Sequence, residues 1–299
     1  MVRPGVYPAA VTPFDEKGRV DMPAVVRLMA WFESEGCTGA VLAGTNGEGP
    51  SLSAPEKRDL VARAMPLKGK LDLILGIATP SLDEAVWLCK QADQVGCAGV
   101  LLMPPFYFRD ASPQGVEDWL RFVLDKSPSP VVVYNFPQKT GVTISADTLS
   151  RLSEHERFAG VKDSSGAPEN IAAYRAALGP DRQLFMGNET LLLDALTAGW
   201  SGAISGAANV LPMWISQIVC EWRRGDRESA GAKFELVLPM IESLRKHSQP
   251  AMNKALLLRL GVLPSDRLRL PLTPVPAGSA TEQAAALQAA LGLRFPPPS

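Results

Sequence analysis

Eight short apolar runs, each followed by a segment of helical character, limit what this 299-residue chain can fold into. They are Val6–Val11, Ala40–Ala43, Leu71–Leu75, Val100–Met103, Val131–Tyr134, Phe158–Lys162, Leu184–Met186 and Ala203–Ser205. Short, continuous apolar runs read as strands buried on both faces, the pattern of a parallel sheet covered by helices. The intervening segments carry helix signals. Asp21–Glu35 places Val25, Val26, Leu28, Met29 and Phe32 at helical spacing. Ser53-Ala54-Pro55-Glu56 and Ser81-Leu82-Asp83-Glu84 open helices with an N-cap serine and a glutamate three residues on. Gly36, Gly96, Gly179 and Gly199 stand where helices should stop.

Eight βα units predict a closed (β/α)8 TIM barrel over residues 1–210. Residues 211–299 are expected to form C-terminal helices, such as Trp214–Trp222, Lys233–Arg245 and Met252–Leu260, as a helical extension of the same unit with a frayed 296–299 tail. A doubly wound sheet alternates in the same way. The first βα turn, Thr12-Pro13-Phe14-Asp15, argues against it by lacking the glycine fingerprint of a dinucleotide site. That lack also makes an NAD-dependent oxidoreductase remote.

Composition excludes several classes. The net charge of −1 offers no basic surface for nucleic acid or an anionic membrane. With only His155 and His247, a histidine-built metal site or a Ser-His-Asp triad is not expected. The four cysteines show no CxxC spacing and read as reduced thiols of a cytoplasmic protein. The N-terminus lacks a signal core, and no run is long enough to span a bilayer.

In a barrel of this kind chemistry sits at the C-terminal ends of the strands. Strand 6 ends there at Lys162. Burial favours the neutral amine over the ammonium, and a neutral amine attacks carbonyl carbon. The neighbouring exits carry Gly44-Thr45-Asn46-Gly47-Glu48-Gly49, Pro104-Pro105-Phe106-Tyr107, Tyr134-Asn135-Phe136-Pro137 and Gly187-Asn188-Glu189. The glycine-rich segment reads either as a tight turn capping a helix or as an anion-binding turn, and Glu48 as a helix-start carboxylate. Tyr134 and Tyr107 read as packing aromatics or as proton donors. Together these residues fit a Schiff-base enzyme acting on a 2-oxo acid.

Thr12-Pro13-Phe14, Gly44-Thr45-Asn46-Gly47-Glu48, Tyr134-Asn135-Phe136-Pro137 with Thr140-Gly141, and Gly160-Val161-Lys162-Asp163 give the chain its resemblance. It resembles the dihydrodipicolinate synthase / N-acetylneuraminate lyase family of class I pyruvate-dependent aldolases. The resemblance implies that Lys162 forms an imine with pyruvate and that Tyr134 shuttles protons. It implies that Thr45 and Asn46 hold the pyruvate carboxylate, and that Tyr107 reaches into a neighbouring subunit to complete a hydroxyl relay. Gly187 and Ile204 would line the pocket through backbone groups. The resemblance also implies a homotetramer built from dimers, substrates that are a small 2-oxo acid and an aldehyde, and no metal or organic cofactor.

Two departures shape the expected substrate. Family synthases usually carry a second threonine where Asn46 stands, and an arginine for the aldehyde's carboxylate where Lys139 stands. Lysine keeps the charge but loses the bidentate fork. Ala54, Lys57 and Phe106 stand where lysine-inhibited members carry histidines and a tyrosine, so inhibition by lysine is not expected. The sequence therefore leans to a 4-hydroxy-2-oxoglutarate or 2-keto-3-deoxy sugar acid aldolase. The alternatives are the 4-hydroxy-tetrahydrodipicolinate synthase reaction with aspartate semialdehyde and, more remotely, a non-catalytic barrel that binds an oxo acid.

Overall fold

The computed structural model describes residues 2–295; the 296–299 tail lies outside the described residues. Eight parallel strands form one sheet: β1 (Gly5–Pro8), β2 (Gly39–Leu42), β3 (Asp72–Ile77), β4 (Gly99–Leu102), β5 (Val131–Asn135), β6 (Phe158–Asp163), β7 (Gln183–Met186) and β8 (Gly202–Ser205). β1 pairs with β8. An Ala9–Val41 bridge and the bonds Thr38 N–H to Val6 O (2.9 Å) and Ala10 N–H to Val41 O (3.0 Å) bring β1 and β2 together and close the barrel. All eight apolar runs became strands. The first ends at Pro8, with single ladder bonds from Ala9 and Ala10 before the Val11 N–H turns to Asn209 Oδ1 (3.0 Å).

Helices cover the outside: α1 (Met22–Ser34), α2 (Ala54–Ala64), α3 (Leu82–Gln94), α4 (Pro113–Lys126), the short α5 (Pro137–Thr140), α6 (Ala146–Ser153), α7 (Glu169–Leu178), α8 (Leu192–Thr197) and α9 (Pro212–Arg224). Ser53 and Ser81 cap α2 and α3 as their spacing predicts. Gly36, Gly96, Gly179 and Gly199 all take positive φ. α10 (Arg227–Arg245), α11 (Gln249–Arg259) and α12 (Ala277–Leu291) follow. The C-terminal part is not helical throughout: residues 262–276 run as an irregular strap. Pro264, Pro271, Pro274 and Pro276 interrupt any helical ladder there.

Alternate residues of each strand face two different cores. Tyr7, Val41, Ile74, Leu101, Val132, Phe185 and Ile204 fill the barrel. Ala40, Leu42, Leu75, Val100, Val131, Val133 and Val161 pack outward under the helices. β6 breaks this alternation once. Val131 pairs with Phe158 but Val132 with Gly160, so Ala159 is an extra residue. With one-to-one pairing from Phe158, Lys162 would face outward. The bulge shifts the count by one, so Val161 packs outward and Lys162 stands opposite Tyr134, facing in.

Gly160 makes the bulge possible. Its φ is +153°, and a β-carbon there would lie 1.7 Å from the Gln183 carbonyl oxygen. Gly160→Ala is expected to cost about 3 kcal/mol of stability, read from the urea midpoint. Deleting Ala159 instead removes the extra residue while leaving Lys162 opposite Tyr134. That variant should be the more stable of the two, and the opposite order would contradict Ala159 being the unpaired extra residue of the strand.

Candidate active site

The strand exits and the C-terminal strap enclose a cavity of about 490 Å³. Lys162, Tyr134, Thr45, Asn46, Lys139 and Gly187, six of the eight residues singled out from sequence, line it. Lys162 is 4 % exposed, and its amine lies 4.1 Å from the centre of the Tyr134 ring. Among the described residues, no carboxylate forms an ion pair with it or with Lys139. The Tyr134 ring stacks on Phe136 at 5.6 Å, and its hydroxyl accepts a hydrogen bond from Ser164 Oγ (3.3 Å). Gly187 leaves the lysine room: a β-carbon there would lie 2.0 Å from Ser164 Oγ and 2.8 Å from Lys162 Cε.

Asp163, the next residue, holds the end of β6 from the outside. Its carboxylate accepts from Asn135 Nδ2 (2.8 Å), Ser165 N–H (3.0 Å), Ser165 Oγ (2.8 Å) and Asn170 Nδ2 (3.2 Å). With Asp163 fixed outward, the backbone of Lys162 has little freedom to turn.

The exit of β2 folds into a turn in which Glu48 N–H donates to Thr45 O (3.2 Å) and Gly49 N–H to Gly44 O (2.9 Å). The turn does not cap α2, which Ser53 caps. Glu48 stands at the start of a short 3-10 turn, Gly49–Ser51, but its side chain makes no capping bond there. Its buried carboxylate accepts from Lys254 Nζ (2.5 Å) and from Arg269 N–H (2.8 Å). Thr45 Oγ1 is buried in the cavity wall with no hydrogen-bond partner among the described residues. A buried hydroxyl without a partner is costly unless something in the cavity supplies one.

Two expected residues stand elsewhere. Ile204, expected to contribute backbone groups, is fully buried in the barrel interior and is not among the cavity's lining residues, whereas Gly206 is. A strand side chain that faces inward fills the barrel before it reaches the rim. Tyr107 is 77 % exposed, edge-on to Phe108 and outside its own chain's cavity. The sequence reading missed the other wall. Arg245, at the end of α10, and His247, Ser248 and Gln249, at the start of α11, complete the cavity with Pro271 and Leu272 from the strap. Arg245 is pinned by the buried Glu189 (3.0 Å), whose other oxygen accepts from Ser205 Oγ (2.7 Å) and Ala207 N–H (3.0 Å). The only sequence signal for this wall was a run of polar residues, 245–249, between two helices.

With this geometry in hand, comparison with known proteins decides the family. Residues 3–290 match the dihydrodipicolinate synthetase family. The chain belongs to that family. A 4-hydroxy-tetrahydrodipicolinate synthase of Bradyrhizobium diazoefficiens is 33 % identical over 272 residues, 91 % of each chain. One from Acidiphilium cryptum is 33 % identical over 95 % of this chain and 97 % of its own. Among solved structures, a dihydrodipicolinate synthase from Thermotoga maritima superposes with a TM-score of 0.93 at 27 % identity, covering 98 % of this chain and 100 % of its own. This family member is therefore a class I pyruvate-dependent aldolase, a carbon–carbon lyase on a TIM barrel. Among the described residues, no helix is long and apolar enough to cross a membrane.

The strap that covers the site is held by Arg269, which grips Glu56 with two hydrogen bonds (2.5 and 3.0 Å). The hydrogen bonds from Arg269 hold the Glu56 carboxyl well down, from 4.5 to about 2. A depressed carboxylate stabilises the folded state above its unfolded value and loses that contribution as pH falls through the folded one. The strap should therefore loosen between pH 4.5 and about 2. Hydrogen exchange of residues 262–276 should rise over that window, and Glu56→Gln should abolish the rise.

Proposed function

We propose that Lys162 is the imine-forming residue and that the enzyme joins pyruvate to, or releases it from, an aldehyde. The observation that carries this is the buried amine facing into the cavity without a carboxylate partner, against the Tyr134 ring. Nζ adds to C2 of pyruvate, and Tyr134 returns a proton as water leaves the carbinolamine. Loss of a C3 proton from the imine gives an enamine, whose C3 attacks the aldehyde carbon while the aldehyde oxygen takes up a proton. Water then frees Lys162. The protonated imine nitrogen holds the electron pair, so the chemistry needs no metal or organic cofactor. Thr45 and Asn46 receive the pyruvate carboxylate, and a dihydrodipicolinate synthase of Acinetobacter baumannii, 27 % identical with a TM-score of 0.92, was solved with pyruvate. The substrates are thus a small 2-oxo acid and an aldehyde.

For the aldehyde, the curated relatives support aspartate semialdehyde, and so the 4-hydroxy-tetrahydrodipicolinate synthase reaction, as the first reading. This reverses the order expected from sequence. Asn46 and Lys139 keep the second reading, cleavage of 4-hydroxy-2-oxoglutarate or a 2-keto-3-deoxy sugar acid. An amide stands for a hydroxyl in the carboxylate turn, and a point charge for a forked guanidinium. The full exposure of Tyr107 fits a cytoplasmic homotetramer in which it enters a neighbour's site.

Borohydride with pyruvate should add, at Lys162 alone, the mass of pyruvate less water plus two hydrogens. Lys162→Ala should give no adduct, and Tyr134→Phe should slow turnover about 100-fold, the scale of one positioned acid–base group. Absence of an adduct would favour an oxo-acid-binding barrel. Condensation with aspartate semialdehyde, set beside pyruvate release from the two oxo acids, separates the readings.

A further inference from the structure

Lys254 is fully buried, 206 residues downstream of the turn it touches. Its ammonium donates to Glu48 Oε1 (2.5 Å) and to Arg267 O (2.7 Å), and it lies 4.2 Å from the centre of the Phe14 ring. Burial drives the lysine down from 10.5 to about 8 against the pull of Glu48. A methionine of similar length would fill this space without desolvating an ion. What the ammonium supplies instead is direction.

Glu48 is one of two non-glycine residues with positive φ among those described, at φ +54° and ψ +33°; the other is Ala43, at the opposite flank of the same turn. A side-chain-bearing residue stays in that conformation only where its surroundings hold it. The carboxylate of Glu48 is gripped on both oxygens, by Lys254 and by the Arg269 N–H, while its own N–H closes the turn onto Thr45 O. Two more bonds clamp the same loop: Thr12 Oγ1 to Gly47 O (2.6 Å) and Asn253 Nδ2 to Asn46 Oδ1 (3.2 Å). The side chain these contacts leave unengaged is that of Thr45, whose buried hydroxyl has no partner among the described residues.

We infer that Lys254, acting through Glu48, is a positioning residue that aims Thr45 and the turn's N–H groups at the carboxylate of pyruvate. The inference rests on the imine reading above for the identity of the ligand. Lys254 does not line the cavity, so its effect reaches substrate through the elements it holds, the turn at Glu48 and the strap at Arg267.

The test compares the wild-type chain, Lys254→Met, Lys254→Arg and the double variant Glu48→Gln/Lys254→Met. The readouts are the thermal midpoint and the pyruvate concentration that half-saturates borohydride trapping. Lys254→Met leaves a buried carboxylate unpaired and should lower the midpoint. The double variant buries no charge and should regain it. A positioning role predicts that half-saturation nevertheless stays raised at least tenfold in the double variant, with partial recovery in Lys254→Arg. Recovery of both midpoint and half-saturation in the double variant would overturn the inference and leave the pair a packing feature. If Lys254→Met does not fold, the double variant decides alone. If the wild-type chain forms no adduct, the imine reading fails separately. Reversible pyruvate binding, followed by calorimetry in the same variants, then decides the inference by the same tenfold criterion.

Discussion

The site depends on the register of β6, in which the pairs from Gly160 onward, after one extra residue, set Lys162 against Tyr134. Strand side chains alternate with a period of two, so whether Lys162 faces the barrel or the helices is a matter of counting from the last fixed pair. Ala159 changes that count, and Gly160 permits it because its backbone runs against the Gln183 carbonyl where no β-carbon fits. Below the bulge, Phe158 packs outward; above it, Val161 packs outward and Lys162 inward, with Asp163 tied to Asn135, Ser165 and Asn170 on the outer face. The bulge and the Asp163 ties thus fix the direction of the lysine from both sides. Tyr134 is across from it on β5 because both strands keep their register beyond that point.

The C-terminal helices are part of the site. Three polar links fasten them to strand exits that carry functional residues: Arg245 to Glu189 after β7, Asn253 to Asn46 and the Gly206 carbonyl after β2 and β8, and Lys254 to Glu48 after β2. Each joins residues far apart in sequence and near in space. The middle of α11 is thus tied to the turn beside Thr45, and the strap carrying Pro271 and Leu272 covers the same cavity. Lys139 faces it without an ion-pair partner among the described residues, whereas the charge of Arg245 is met by Glu189.

Much of the fold was legible in the sequence, because apolar runs, serine caps and stop glycines are local signals. The eight strands and the caps at Ser53 and Ser81 followed from them, the strand-exit positions brought Thr45, Tyr134 and Lys162 to one rim, and the family resemblance added Lys139 and Gly187 to the cavity they line. What was not legible was long-range. Glu48 read as a helix-start carboxylate because its partner lies 206 positions away. Ile204 was expected, from the family resemblance, to give backbone groups to the pocket, and its side chain fills the barrel interior. The wall from Arg245 to Gln249 had no motif of its own, and the bulge at Ala159 is invisible until β5 supplies the register. The order of the two aldehyde readings changed for a different reason. Asn46 and Lys139 speak against the synthase reaction residue by residue, whereas similarity over the whole chain speaks for it.

A crystal structure of the protein soaked with pyruvate tests the central claim most directly. The account predicts continuous density from Lys162 Nζ to C2 of pyruvate, with the carboxylate against the Thr45 hydroxyl and the Tyr134 hydroxyl beside the new bond. Pyruvate bound in the cavity but unlinked to Lys162, or Lys162 turned outward beneath the helices, would contradict it.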